Sequence, residues 1–406
     1  MSRTATASVG PSARLIPTQR ELRVLRLLTT AALIPIAAAA AAQNAEGGKD
    51  RFAVSVGGRI HVEASSSSPD PALEERFDFE DGVDWRRARL VLNGEFLDRF
   101  TFKIEHDIAS GDIVPTDGFI EATPNDGAAT FRAGHFKEPF SLSIQQSSNS
   151  HSFIARPAAV TALAPGRNLG FMVHDRLPGD RVAWAVGGFR DSDGYDIRPG
   201  ADWSLTGRLT GLALDGDEGS DLLLHLGVAV SHRQPTADAV RLRGRAGVRL
   251  APRTVNTGWL PADDMRLLGA EFVLSRSSFW LQGEVMSAQV DLLTDGRNAR
   301  FDAQYVEAGW FLTGERKPYS RSSRTFARLR PKAPVPEGRG AWELAARWDR
   351  IDLSDGSVPG GSQQSLSLAL NWYLRDNLRV LANHVSTDPD GAGSAEHLGL
   401  FLHFDF

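Results

Sequence analysis

Residues 85–109 read WRRARLVLNGEFLDRFTFKIEHDIA, and their alternation decides what the chain forms. Over Trp85–Phe96, Ala88, Leu90, Leu92 and Phe96 fall at even positions, while Arg87, Arg89, Asn93 and Glu95 take the other face. After a short break, Phe100, Phe102 and Ile104 alternate with Thr101, Lys103, Glu105 and Asp107. Successive side chains of a strand point to opposite faces, so this stretch is two strands with one apolar and one charged face.

The same period of two runs outward from that pair in both directions, in segments of about ten residues broken by turn residues. Leu222, Leu224, Leu226, Val228 and Val230 make one apolar face, and Trp342, Leu344, Ala346 and Trp348 another. Leu366, Leu368, Leu370 and Trp372 oppose Ser365, Ser367 and Asn371, and Trp203, Leu205 and Leu209 oppose Ser204, Thr206 and Arg208. A soluble exported β-sandwich, such as a carbohydrate-binding protein, alternates as well. The polar face here separates the two, because it carries Arg, Glu, Asp and Lys deep inside long strands, as a water-filled lumen allows. Trp and Phe recur near strand ends, as an aromatic girdle requires. The final HLGLFLHFDF sets Leu398, Leu400, Leu402, Phe404 and Phe406 on one face and ends on an aromatic, the signal that barrel-assembly machinery reads. The expected fold is all-β, a transmembrane antiparallel barrel.

Segments begin near residues 52, 85, 99, 117, 129, 169, 181, 202, 221, 240, 264, 278, 300, 341, 363, 377 and 395. A bacterial barrel has an even strand number, short periplasmic turns and long outer loops. Assigning Val240–Leu250 to one outer excursion, Arg233–Asp263, restores the alternation and gives 16 strands, with 18 as the alternative. The tight turns at Leu97–Arg99, Pro178–Asp180, Arg276–Ser278 and Arg375–Asn377 then share the periplasmic side, and so does the long basic stretch Gly314–Gly340.

Composition narrows the function. There is no Cys, which excludes disulfides and Cys-based metal or redox sites. Of 45 basic residues only five are Lys, and the formal net charge is -5 without a long basic run, so nucleic acid is excluded as a partner. No GxSxG, P-loop, dinucleotide or HExxH pattern occurs, so neither an enzyme nor a cofactor is expected. Arg20, Arg23 and Arg26 precede an apolar run, Leu27–Ala42, that is broken by Pro35 and too short to span a bilayer. It reads as a cleaved signal peptide, 1–42, ahead of a barrel domain, 43–406. Residues 43–406 hold 40 basic and 49 acidic residues, a net charge of -9.

Several stretches resemble the phosphate-selective porin O and P family of Gram-negative outer membranes. They are the 85–109 segment, FRAGHFKEPFSL from Phe131, APGRNLGF from Ala164 and LLHLGVAVSHR from Leu223. AGWFLTGERKPY from Ala308, GAWELAARWDRIDLSDG from Gly340, NWYLRDNLRVLANHV from Asn371 and the terminal LFLHFDF follow in order. The resemblance implies a 16-stranded trimeric porin in the outer membrane. It further implies a pore narrowed by inward-folded loops and lined by basic residues, passing phosphate or other small anions. The positions matching its anion path are Arg87, Arg89, Lys103 and Lys137, although Glu95, Glu105, Asp107, Glu307 and Glu343 share the lumen face. A general, non-specific solute porin is the alternative.

Two loops are candidates for the filter. Residues 139–168 contain Arg156 and Arg167 but no carboxylate, so folded inward they form a positive constriction. Arg241, Arg243, Arg245 and Arg249 share one face of RLRGRAGVRL, a costly row unless it faces anions. It is a funnel, a face for lipopolysaccharide, or a solvated outer loop. Arg208 adds a cation to the lumen face of its strand.

Overall fold

The computed structural model describes residues 52–406 except 125, 126, 128, 217–220, 390 and 392, so the signal segment 1–42 lies outside the described residues. The chain forms a closed barrel of 16 antiparallel strands, each paired with its neighbour in sequence. They are β1 (Phe52–Pro69), β2 (Gly82–Phe96), β3 (Phe100–Asp107), β4 (Val114–Ala122), β5 (Thr130–Lys137), β6 (Arg167–Arg176), β7 (Val182–Arg190) and β8 (Trp203–Asp215). Then come β9 (Leu223–Arg233), β10 (Leu260–Arg276), β11 (Phe279–Leu292), β12 (Asn298–Phe311), β13 (Ala341–Asp355), β14 (Val358–Arg375), β15 (Leu378–Pro389) and β16 (Ala395–Asp405). Closure comes from β1 against β16, in register from Arg59 opposite Asp405 to Pro69 opposite Ala395. Every expected strand is present. The excursion after β9 contributes only Ala239–Val240 to the sheet, paired with the start of β10.

The outer wall explains the alternation. Val228, Leu268, Leu368 and Leu398 stand 54%, 59%, 50% and 59% exposed, as do their outward-facing neighbours. Each such side chain left in water forgoes about 1.5–3 kcal/mol of burial, so this wall belongs in lipid. Among the described residues no helix is long and apolar enough to cross a membrane. At the end that carries the short turns, Phe279 stacks on Trp310 and Trp342 on Trp372, with ring centroids 5.5 and 5.2 Å apart. Those pairs form part of an aromatic girdle. The turn between β2 and β3 reverses the chain over three residues, Leu97–Arg99, of which Leu97 and Asp98 have positive φ, 53° and 54°. That twist matches flanking strands that curl to the right.

Three segments fold into the barrel. From the long-loop end, residues 138–166 cross the lumen with two short helices, α1 (Leu142–Gln145) and α2 (Ala158–Leu163). The constriction loop therefore ends at Gly166, two residues earlier than expected, because Arg167 and Asn168 pair with Lys137 and Phe136 as β6 begins. Residues 234–259 enter beside it, and Val240, Leu242 and Val255 join Ala158, Val160, Leu163, Phe301 and Ile351 in one core. From the short-turn end, residues 312–340 rise into the barrel, where Phe326 and Leu329 pack with Leu142, Phe153, Trp280 and Tyr373. Their apolar residues pack on the β9–β16 wall, while Arg249 reaches Glu63 and Arg86 on β1 and β2 and Arg324 reaches Asp180 before β7. A cavity remains on the side of β3–β8.

Candidate functional site

Adjacent strands beside that cavity present charged residues in register. Arg59 comes from β1, Arg89 from β2, Lys103, Glu105 and Asp107 from β3, Asp117 from β4 and Arg167 from β6. Arg89 donates to Glu105 at 2.8 Å and to Asp107 at 2.7 Å, and Arg59 reaches Glu105 at 2.9 Å. Lys103 sits 2.6 Å from Asp117 and 3.1 Å from Glu105, and Arg167 closes the lattice on Asp117 at 2.7 Å. Four cations share three carboxylates, so every carboxylate here is neutralised.

Three further cations face this lattice without a carboxylate. Lys137 donates to the carbonyls of Gln145 and Gln146 at 3.1 and 3.3 Å. Arg156 donates to the carbonyls of Ser143 and Gln146 at 2.9 and 3.3 Å. The Arg87 side chain makes no hydrogen bond or ion pair among the described residues, and its electrostatic neighbours are Arg86, Arg89, Arg156 and Arg59. Lys137 lies in the field of Arg167, Arg156 and Lys103, with Asp117 as the counter-charge. Burial, reinforced by Arg167, Arg89 and Arg86, pushes the Arg156 guanidinium below its ordinary value. A carbonyl orients a cation but leaves its charge intact. The site as a whole is a positive field with unspent donors, suited to an anion with several oxygens.

Beside the cluster is a cavity of about 510 Å³, lined by Lys103, Lys137, Arg132, Arg208, Asp117 and Glu121 among others. Glu121 is taken by Arg132 at 2.7 Å and His174 at 2.9 Å. Arg208 forms a bidentate pair with Glu271, so it lines the lumen in a compensated state.

The loop carrying Arg156 is fixed at its tip by the far wall. Arg379 donates to the His151 carbonyl at 2.6 Å, Asn371 to that of Ser152 at 3.0 Å and Arg347 to that of Ala155 at 2.8 Å. Glu343 accepts from Ser152 Oγ and Trp280 Nε1, both at 2.8 Å, and from Tyr373 at 2.7 Å. From the short-turn segment, Lys317 lies 3.5 Å from the same carboxylate and 3.4 Å from the Trp280 ring centroid.

Six of the sequence-selected residues, Arg87, Arg89, Lys103, Lys137, Arg156 and Arg167, converge on one region. Arg167 differs from expectation, since it is a strand residue paired with Asp117 and not a bare loop charge. Arg241, Arg243 and Arg245 sit apart at the long-loop mouth. The alternate residues Leu242 and Gly244 are buried, leaving Arg241 and Arg243 exposed. Arg241 donates to Asn256 at 3.0 Å, and Arg245 donates to the Arg249 carbonyl. Arg59 and Asp117 were missed from the sequence, although the row Arg59, His61, Glu63 alternates with Ile60 and Val62 and marks an inward face.

Comparison with known proteins adds relatives to this geometry. An uncharacterized protein of Caulobacter vibrioides is 28% identical over 349 residues, covering 82% of this chain and 68% of its own. Porin O of Pseudomonas aeruginosa is 22% identical over 377 residues, covering 84% of each chain. The trimer form of OmpT, an outer membrane protein of Vibrio cholerae, superposes with a TM-score of 0.56 at 12% identity, covering 87% of this chain and 99% of that one. Residues 54–399 match the family described as phosphate-selective porin O and P, and with the barrel, its inward loops and its basic lumen in place, the chain belongs to that family.

Proposed function

We propose that this barrel is a passive outer-membrane channel for small anions, with inorganic phosphate the favoured solute. One observation carries the reading: Lys137 and Arg156 are held at the narrowing by carbonyl oxygens, with no carboxylate on either. Together with Arg87 they are the charges an anion meets uncompensated, while Arg89, Lys103, Arg167 and Arg208 keep the wall positive but balanced. Low-dielectric walls focus that field, lowering the barrier for anions and raising it for cations. The guanidinium fork matches two oxygens of one phosphate. Arg241, Arg243 and Arg245 form the entrance that concentrates anions from outside.

Residues 1–42 serve as the export signal and 43–406 as the porin domain, with the long loops outside the cell. The family and the barrel support the Gram-negative outer membrane, and they suggest a channel rather than an enzyme. The protein assembles as a homotrimer, as the trimer form of OmpT does. Its other partners are outer-membrane lipid and lipopolysaccharide, and the assembly machinery that reads Phe406.

The test is phosphate block of chloride current through single channels in planar bilayers. Half-block at submillimolar phosphate is the expected result. Chloride current that is indifferent to phosphate reduces the protein to a general anion or solute porin. That second reading is favoured by Glu121 and Asp117, which line the same cavity.

A further inference from the structure

We infer that Glu284, on the wall facing the cation cluster, is the residue that positions the uncompensated charges of the constriction. It points inward from β11 and is 4% exposed. Its carboxylate accepts from Ser141 Oγ at 3.0 Å, the Leu142 amide at 3.0 Å, the Ser143 amide at 2.8 Å and Tyr305 Oη at 2.8 Å. Three of these donors begin the turn 141–146. The carbonyls that close the same turn, at Ser143, Gln145 and Gln146, are the ones that hold Arg156 and Lys137. Glu284 therefore fixes one side of a short rigid bridge whose other side orients both cations. A buried carboxylate is costly unless fully hydrogen-bonded, and this one is occupied by the loop it fastens.

The inference rests on the anion path past Lys137 and Arg156, and it reverses the sign that plain electrostatics gives. When ionised, Glu284 places a negative charge within the field of Arg156. If charge were its whole role, removing it would raise anion preference. As a positioning residue, its removal frees the turn, scatters the two cations and lowers anion preference.

The experiment compares wild type, Glu284→Ala, Glu284→Gln and Tyr305→Phe in planar bilayers under a potassium chloride gradient, each first checked for heat-modifiable gel mobility. Glu284→Ala should lower the anion-to-cation permeability ratio about threefold or more and increase open-channel noise, because the constriction sets the barrier. Glu284→Gln, isosteric but with one acceptor oxygen, should fall between Ala and wild type. Should Glu284→Ala fail to assemble, Glu284→Gln and Tyr305→Phe carry the same test. A ratio unchanged or raised in the variants overturns the positioning role while leaving the anion path standing. A wild type that prefers cations removes the path itself, and the inference with it.

Discussion

Arg156 and Lys137 show how a residue's effect depends on what it is paired with. Both are cations among cations, and neither is cancelled. Replacing Arg156 by Ala should lower the anion-to-cation permeability ratio about fivefold or more, since one unit charge at about 4 Å is worth about 1 kcal/mol even at the dielectric of water. An unchanged reversal potential in Arg156→Ala would move the filter elsewhere. Asp117 predicts the opposite sign. It is held by Lys103 and Arg167 at 2.6 and 2.7 Å, so Asp117→Asn frees two cations and should raise anion preference in the same measurement. Parity in the sequence placed Arg87, Arg89 and Lys103 on the inward face, and the family resemblance added Lys137. It could not say which were free, because the partners lie on neighbouring strands or on a loop carbonyl, set by register and loop path.

The strands were readable because each is a local pattern repeated along the chain, and a slip of one residue would turn its apolar face into the lumen. Even the assignment of Val240–Leu250 to a loop holds, since only Ala239 and Val240 pair with the sheet. The inward folding of 234–259 and 312–340 was not readable. In 234–259 Val240, Leu242, Ala246, Val248 and Leu250 alternate just as a wall strand does, in 312–340 apolar residues are few, and both segments find their core only in contacts with distant parts of the chain. Each element gives a prediction. Arg241→Ala, Arg243→Ala and Arg245→Ala combined should cut chloride conductance at 0.01 M salt and leave it unchanged at 1 M, because the Debye length shrinks from about 30 Å to about 3 Å. A conductance loss equal at both salts would show that these residues shape the passage rather than concentrate ions. Replacing 316–338 by a short Gly-Ser linker removes Lys317, Phe326 and Leu329 from the short-turn mouth and should raise single-channel conductance. An unaltered conductance would show that the narrowing lies wholly in the 138–166 loop.

The molecule is a wall that belongs in lipid around a lumen filled on one side and charged on the other. The three inward segments leave a cavity on the β3–β8 side, and beside it the seven cations Arg59, Arg87, Arg89, Lys103, Lys137, Arg156 and Arg167 face the three carboxylates Glu105, Asp107 and Asp117. That local excess of positive charge opposes the net charge of -9 carried by residues 43–406, and the barrier is set where the passage is narrowest. The most direct measurement is the reversal potential of the wild-type channel under a potassium chloride gradient. A lumen with this excess of positive charge gives the sign set by chloride, and a reversal potential of the sign set by potassium would overturn the anion path.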